Sequence, residues 1–233
     1  MPTYKIADLV MNFDPVLKSI ASLAEPYRIA DSDHADVVAF VTPEDIKNEE
    51  KYLQGITPNE AAYTAVYRKI CTQILNYNAF VFHSSAIVLD GNAYLFTALS
   101  GTGKSTHTSL WLEYFKDRAF IINDDKPIVR YVDGQYRVYG TPWCGKHGIN
   151  KNTSAPIKGV AFLHRGKENS IKIKNISDVL VPLLNQAYRP KEDLDYSNKF
   201  FDEIERFINS VNFYDLYCNI STEAVEVAYN GMK

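Results

Sequence analysis

The stretch LFTALSGTGKST, residues 95–106, decides the fold class of this chain. Residues typical of a strand run into a turn that contains Gly101 and Gly103, and a helical pattern follows the turn. Successive backbone N–H groups in such a turn converge on an anion, and the N-terminus of the next helix adds favourable partial charge. The stretch therefore predicts a strand, a phosphate-binding loop and a helix, with a nucleoside triphosphate as the ligand.

The residues of this loop have separate predicted roles. Glycine at positions 101 and 103 lets the backbone approach the ligand without a Cβ in the way. Lys104 can reach the β- and γ-phosphates, and the Ser105 hydroxyl can bind Mg²⁺. The residues that we predict to hold the nucleotide are Ser100, Gly101, Thr102, Gly103, Lys104, Ser105 and Thr106.

Ala98 occupies the position at which the common loop motif has its first glycine. The alternative interpretation of the stretch is a chance glycine turn before a helix. A strand before the turn and a helix after it are the context that the motif requires, and both are indicated here. The alanine therefore indicates an unusual branch of phosphate-loop proteins rather than the absence of a nucleotide site.

Two adjacent carboxylates follow the next apolar run of the chain. Residues 119–122, AFII, have the composition of a short buried strand and are followed by Asn123, Asp124 and Asp125. Beside a phosphate loop, one carboxylate can bind Mg²⁺ while the other accepts a hydroxyl proton. We take Asp124 as the base and Asp125 as the metal ligand together with Ser105, although the sequence leaves the order of the two open. The alternative is a solvated acidic turn.

Hairpin signals surround the loop and predict a mixed sheet. Asp90-Gly91 separates two runs of strand-forming residues, and Asp133-Gly134 separates two more. A weaker third signal lies between residues 159–163 and 170–174. A purely parallel sheet would not need hairpins, so we expect the loop strand to have an antiparallel neighbour.

The loop and the Asp pair resemble the catalytic domain of HPr kinase/phosphorylase and its relative, ATP-dependent phosphoenolpyruvate carboxykinase. The resemblance covers residues 80–175 and includes His83, since those kinases have a histidine near the catalytic aspartate. It implies an α/β fold, with a β-rich mixed sheet, hairpins, a P-loop and C-terminal helices. It also implies ATP-dependent phosphoryl transfer to a serine-type hydroxyl on a protein or peptide, with ATP and Mg²⁺ as cofactors.

Several alternatives to this function stay open at the sequence level. No segment matches the N-terminal domain of HPr kinases or the segment with which they grip their protein substrate, so a small-molecule acceptor is also compatible. A carboxykinase-like enzyme acting on a small carboxylate and a nucleotide-binding module without transfer are the main competitors. The kinases assemble as hexamers, which makes a homo-oligomer compatible with the resemblance without requiring one.

Further cations and one irregular loop are candidates for the site. Arg165 follows the apolar run at residues 160–163, at a strand end where a catalytic cation is expected. Arg130 fits a solvated hairpin face better, and His107 fits packing beside the loop helix. In the loop at residues 139–148, Lys146 could meet a phosphate, and Trp143 could stack on a base or anchor the turn.

Composition and charge exclude several classes of function. The chain has 233 residues, of which 46% are hydrophobic, and a formal net charge of −3, so nucleic acid is not expected as the main partner. Neither a signal peptide nor a membrane-spanning run is apparent, and three widely spaced cysteines fit a reducing compartment. We therefore expect a cytoplasmic protein with no membrane partner.

The sequence predicts two segments in one compact unit. Residues 1–55 form a lead-in of strands and a helix, and residues 56–233 form a P-loop kinase-like catalytic domain. Thr57 and Glu60 predict a capping box at the start of a helix. Helices are expected at 179–188, 199–208 and 221–229, with Gly231 as the last stop, and a strand is expected at 211–217.

Overall fold

The computed structural model describes residues 1–190 and 193–233. Its strands are β1 (Thr3–Ile6), β2 (Leu9–Phe13), β3 (Val37–Ala39), β4 (Ala79–Val81), β5 (Ser85–Leu89), β6 (Asn92–Thr97), β7 (Ala119–Asn123), β8 (Ile128–Val132), β9 (Gln135–Tyr139), β10 (Ser154–Arg165), β11 (Ser170–Ile173) and β12 (Phe213–Cys218). Its helices are α1 (Lys18–Ala24), α2 (Pro43–Tyr52), α3 (Pro58–Gln73), α4 (Lys104–Phe115), α5 (Leu180–Leu184), α6 (Leu194–Ser210) and α7 (Thr222–Met232). The chain is thus a mixed α/β protein with a helix at its C-terminus.

One large mixed sheet forms the centre of the molecule. Its strands are ordered β4-β8-β9-β10-β6-β5-β7, and β12 and β11 extend it beside β10. The long strand β10 joins two parts of the sheet, because its first residues pair antiparallel with β9 and its later residues pair parallel with β6 and β12. This change of partner along one strand makes the sheet curl.

The directions of the strands bring four of their carboxyl ends together. Strands β6, β10 and β12 are parallel, and β5 runs antiparallel to both β6 and β7. It follows that β6, β7, β10 and β12 all end at the same edge of the sheet. The predicted phosphate loop and the Asp pair therefore leave the sheet on one side.

Two of the three predicted hairpins are confirmed. Strands β5 and β6 are joined by Asp90-Gly91, and β8 and β9 are joined by Asp133-Gly134. All four turn residues have positive φ, which is the conformation of the favoured two-residue hairpin turn.

The third predicted hairpin is wrong, because β12 lies between β10 and β11 and pairs with both. The residues of β12 are mostly buried, whereas those of β11 are largely exposed. The more apolar strand takes the central position, and β11 is left at the edge.

The N-terminal residues form a separate small sheet of β1, β2 and β3, which we call the N-terminal layer and which shares its core with the rest of the chain. Strands β1 and β2 are antiparallel, but β2 and β3 are parallel, and two helices rather than one fall within the first 55 residues. Phe13 and Tyr27 of this segment are buried in the same cluster as Ile128 and Trp143. The division of the chain at residue 55 stays a prediction.

The helices follow their sequence signals with local differences. The capping box of Thr57 and Glu60 is present at the start of α3. Gly231 does not stop α7 but lies within its last turn, where a Cβ would overlap with Ile171. Among the described residues, no helix has the length and apolar character needed to cross a membrane.

Candidate functional site

The turn between β6 and α4, residues 98–103, has the conformation that its glycines allow. Gly101 and Gly103 have φ values of 78° and 125°, a region that side chains with a Cβ rarely adopt. Ala98 is not among the residues with positive φ, and it is buried in a cluster with Phe96 and Trp111. Alanine therefore fits at this position without strain. We call residues 98–103 the glycine loop.

The glycine loop is closed by its own hydrogen bonds. The backbone N–H and the hydroxyl of Thr102 both donate to the Leu99 carbonyl, at 3.2 and 2.8 Å. Lys104 Nζ donates to the Ala98 carbonyl at 3.2 Å. Burial lowers the pKa of Lys104, and the nearby carboxylates of Asp125 and Asp124 oppose this effect. The ammonium group of Lys104 therefore lies between the loop and the Asp pair.

Arg165, at the end of β10, contacts the glycine loop from outside. Its guanidinium donates to the carbonyls of Gly101 and Thr102, at 2.6 and 3.2 Å. In a loop whose N–H groups point inward at an anion, such carbonyls point away from that anion. Arg165 is thus placed to fix the shape of the loop.

Asp124 follows β7 and accepts a hydrogen bond from one buried hydroxyl group. Ser85 Oγ donates to Asp124 Oδ1 at 2.6 Å, and it lies 3.0 Å from Thr108 Oγ1. Ser85 and Thr108 are fully buried, and Asp124 is almost fully buried. The carboxylate is therefore held by Ser85 of β5, which Thr108 of α4 contacts in turn.

Asp125 has different partners and is more accessible. His83 Nε2 lies 3.2 Å from Asp125 Oδ1, and Lys126 Nζ lies 3.8 Å from Oδ2. Burial alone would raise the pKa of Asp125, but the hydrogen bond from His83 and the charges of Lys126 and Lys104 bring it below its usual value. Asp125 is therefore ionised at neutral pH.

Gln186 completes the surroundings of His83. Its side-chain oxygen lies 2.9 Å from His83 Nδ1, and its backbone carbonyl accepts a hydrogen bond from the His83 N–H at 2.7 Å. Since a carboxylate can only accept, His83 donates from Nε2 to Asp125, and the side-chain amide of Gln186 lies against the other ring nitrogen. The imidazole is thus oriented from both sides.

Three other predicted candidates do not join this group of side chains. Trp143 is buried against Phe13 and Tyr67, so of its two alternative roles the structure favours the anchor of the turn. Lys146 is exposed in the turn at residues 145–148. The sequence favours a solvated face for Arg130, but the structure differs. Arg130 of β8 donates to the carbonyls of Tyr77 and Ala7 and so links the β8–β9 hairpin to the N-terminal layer.

His107 packs within the core, as the sequence predicts. It accepts a hydrogen bond from Trp111 Nε1 at 3.0 Å, and burial lowers its pKa to about 4. Within the described residues, no group of three or more His, Cys, Asp or Glu side chains could hold a metal ion, and all three cysteines are free and buried.

Sequence reasoning missed Ser85, Thr108 and Gln186. Ser85 had a detectable signal, because Ser84 and Ser85 are two polar residues between His83 and the apolar run at residues 86–89. Gln186 lies about 100 residues from His83 along the chain, and no local pattern connects the two.

Comparisons with known proteins give distant similarity to solved structures. No protein-family model and no curated protein match the chain. Among solved structures, the HPr(Ser) kinase/phosphatase from Coxiella burnetii is similar with a TM-score of 0.36 and 15% sequence identity. The match covers 64% of this chain and 91% of that one. The resemblance in structure is distant, so arguments about function rest on the side chains.

Proposed function

We propose that this protein binds a nucleoside triphosphate with Mg²⁺ and transfers the terminal phosphoryl group to a hydroxyl group. One observation carries the proposal. The glycine loop with Lys104, the Asp pair and His83 are separate in sequence, yet they meet at one edge of the sheet. Cations and loop N–H groups for the phosphates, and carboxylates for a metal and a proton, are the groups that phosphoryl transfer requires.

The residues present fit the nucleotide. In this proposal, Ser100 to Thr106 surround the phosphates with backbone N–H groups, once the Thr102 N–H releases the Leu99 carbonyl. Lys104 likewise releases the Ala98 carbonyl to contact the β- and γ-phosphates. Arg165 keeps the loop in this shape through the carbonyls of Gly101 and Thr102. It acts in this scheme as a positioning residue and adds positive potential.

The residues present also fit Mg²⁺, which prefers oxygen ligands. Among the described residues, the hydrogen bonds at Ser105 fall on its carbonyl, so its hydroxyl is available. Asp124 uses Oδ1 for Ser85 and retains Oδ2. We assign the metal to Ser105 and Asp124. When bound, Mg²⁺ neutralises charge on the transferred phosphate.

This assignment reverses the order that the sequence suggested for the two aspartates. His83 was expected to tune the base, and its contact is with Asp125. Asp125 also has the more accessible carboxylate, whereas Asp124 is held in place by Ser85. We therefore take Asp125 as the group that orients the acceptor hydroxyl and accepts its proton, with His83 as its partner.

The acceptor follows only from the resemblance noted in the sequence. A serine-type hydroxyl on a protein or peptide is the proposed acceptor, and a small-molecule hydroxyl is the alternative. ATP is the proposed donor. A homo-oligomer and a cytoplasmic location stay predictions.

Calorimetry of ATP binding in the presence of Mg²⁺ tests the nucleotide site. Lys104→Ala should weaken binding about tenfold or more, because one charged partner of the phosphates is lost. Lys158→Ala, which removes an exposed lysine on β10, should leave binding unchanged. If the unaltered protein binds neither ATP nor GTP, the proposal is wrong.

Hydrolysis of ATP, with water in place of the acceptor, tests the transfer step. Asp125→Asn should still bind ATP but hydrolyse it about 100-fold more slowly, because the base is lost. Equal hydrolysis rates in the variant and the unaltered protein would show that Asp125 is not the base, and absence of hydrolysis in the unaltered protein would favour the nucleotide-binding module without transfer.

A further inference from the structure

A chain of two buried hydroxyl groups connects the Asp pair to the helix that follows the glycine loop. Ser85 stands at the start of β5, and Thr108 stands in the second turn of α4; both side chains are fully buried. Ser85 Oγ contacts Asp124 Oδ1 at 2.6 Å and Thr108 Oγ1 at 3.0 Å. We call Ser85 and Thr108 the hydroxyl relay.

The chemistry of the groups fixes the direction of the relay. A carboxylate has no proton to donate, so the single Ser85 proton goes to Asp124. Ser85 Oγ can then only accept from Thr108, whose single proton points toward it. In this arrangement the Thr108 hydroxyl donates to Ser85 and not to the carbonyls of Lys104 and Ser105, which lie 3.3 and 3.2 Å away.

The relay ends close to Ser105, the second residue that we propose as a metal ligand. Thr108 is three residues after Ser105 on α4, so the two residues lie on neighbouring turns of one helix face. Asp124 directly follows β7, and Ser85 is on β5, which lies between β7 and β6. The relay therefore links the strand that supplies a carboxylate to the helix that supplies a hydroxyl.

We propose that Ser85 and Thr108 are positioning residues that fix the Asp124 carboxylate relative to Ser105 and so set the affinity of the site for Mg²⁺. The inference rests on the proposed function, since it needs Mg²⁺ to bind beside a nucleotide. Groups that orient metal ligands in this way commonly affect metal affinity 10- to 100-fold.

The test compares the affinity for ATP with Mg²⁺ and with EDTA, measured with a fluorescent ATP analogue. The ratio of the two affinities reports how strongly the metal assists binding, without any reading of activity. Ser85→Ala and Thr108→Val remove the two hydroxyls with little change in shape, and each should lower the ratio about tenfold. Because both act through Asp124, the double variant should resemble either single variant.

Two variants separate positioning from a structural role. Thr108→Ser keeps the hydroxyl and should retain most of the ratio. Ser109→Ala removes a neighbouring hydroxyl that donates to the Ser105 carbonyl at 2.8 Å and does not contact Asp124, so its ratio should not change. Thermal unfolding without ligand identifies any variant that fails to fold. If one of Ser85→Ala and Thr108→Val fails to fold, the ratio measured for the other variant decides the test.

The outcomes distinguish failure of this inference from failure of the proposed function. No ATP binding by the unaltered protein, with or without Mg²⁺, overturns the proposed function and the relay with it. ATP binding that Mg²⁺ does not assist overturns the relay and the assignment of the metal to Ser105 and Asp124, but leaves the nucleotide site standing. The relay is also overturned if Ser85→Ala and Thr108→Val keep the ratio, or if Ser109→Ala lowers it equally.

Discussion

Ala98 is the residue at which the glycine loop departs from the common motif, and its surroundings explain why alanine is compatible there. Its φ is not positive, so the position does not need the conformational freedom of glycine. Its methyl group is buried in the cluster that also holds Phe96 and Trp111. Its carbonyl accepts a hydrogen bond from Lys104 Nζ.

Restoring the motif with Ala98→Gly should therefore destabilise the protein without improving nucleotide binding. The variant loses a buried methyl group and gains backbone freedom in the unfolded state, which together cost about 1 to 2 kcal/mol. Urea unfolding measures the loss, and calorimetry measures ATP affinity. Tighter ATP binding by the variant would show that the alanine impairs the loop.

At the same scale, the sequence predicts which residues meet but not how they pair. The glycines, Lys104 and the Asp pair carry their own motif, so their convergence could be predicted. Whether His83 meets Asp124 or Asp125 depends on a shift of one residue at the end of β7, which reverses the direction of a side chain. No local pattern specifies that register. For the same reason, the sequence does not predict the contact of Asp124 with Ser85.

Gly140 shows how one element constrains the placement of another. It follows β9, and a Cβ at this position would overlap with the carbonyl oxygen of Lys151 and lie 2.8 Å from that of Ile122. The backbone N–H of Lys151 in turn donates to the Ile122 carbonyl at 3.0 Å, and Ile122 directly precedes Asn123 and the Asp pair. The glycine thus permits three backbone segments to meet beneath the site.

Gly140→Ala should destabilise the protein by about 2–4 kcal/mol, because the atoms in the way belong to the backbone and cannot rotate aside. Gly134→Ala is the matched control, since Gly134 has a positive φ but open space around its Cα. Its cost should be about 1 kcal/mol. Urea unfolding compares the two, and an equal loss in both would contradict the close packing at Gly140.

Elements with local signals were predicted well, and elements set by distant pairing were not. Asp-Gly turns define two hairpins, and a capping box defines the start of α3. The insertion of β12 beside β10 joins segments about 50 residues apart, and it depends on which strand buries more apolar surface. Such competition between segments has no local sequence signal.

At the scale of the whole molecule, the central sheet lies between three clusters of buried side chains. Adjacent residues of β4 face different clusters, with Phe80 in one and Val81 in another. Strand β6 does the same on the other side of the molecule, through Leu95 and Phe96. The cluster that contains Val81 also contains residues of the N-terminal layer, so the strands of this layer share a core with the main sheet.

The chain contains two tryptophans, and they report on different clusters. Trp111 is buried in the cluster of α4 and α7, whereas Trp143 is buried with Phe13 of the N-terminal layer. If the clusters are coupled through the shared strands, they should unfold together. Trp111→Phe and Trp143→Phe each leave one reporter, and tryptophan fluorescence should follow the same urea transition as circular dichroism in both variants.

Separate unfolding of residues 1–55 would give a different result in only one of the variants. Fluorescence of Trp143 would then change at lower urea than circular dichroism, while fluorescence of Trp111 would follow the main transition. We expect the fluorescence and circular dichroism transitions to coincide in both variants, because separating the N-terminal layer would expose Ile128 and Val81 of the main sheet to water. The boundary near residue 55 would in that case divide the sequence without dividing the cooperative unit.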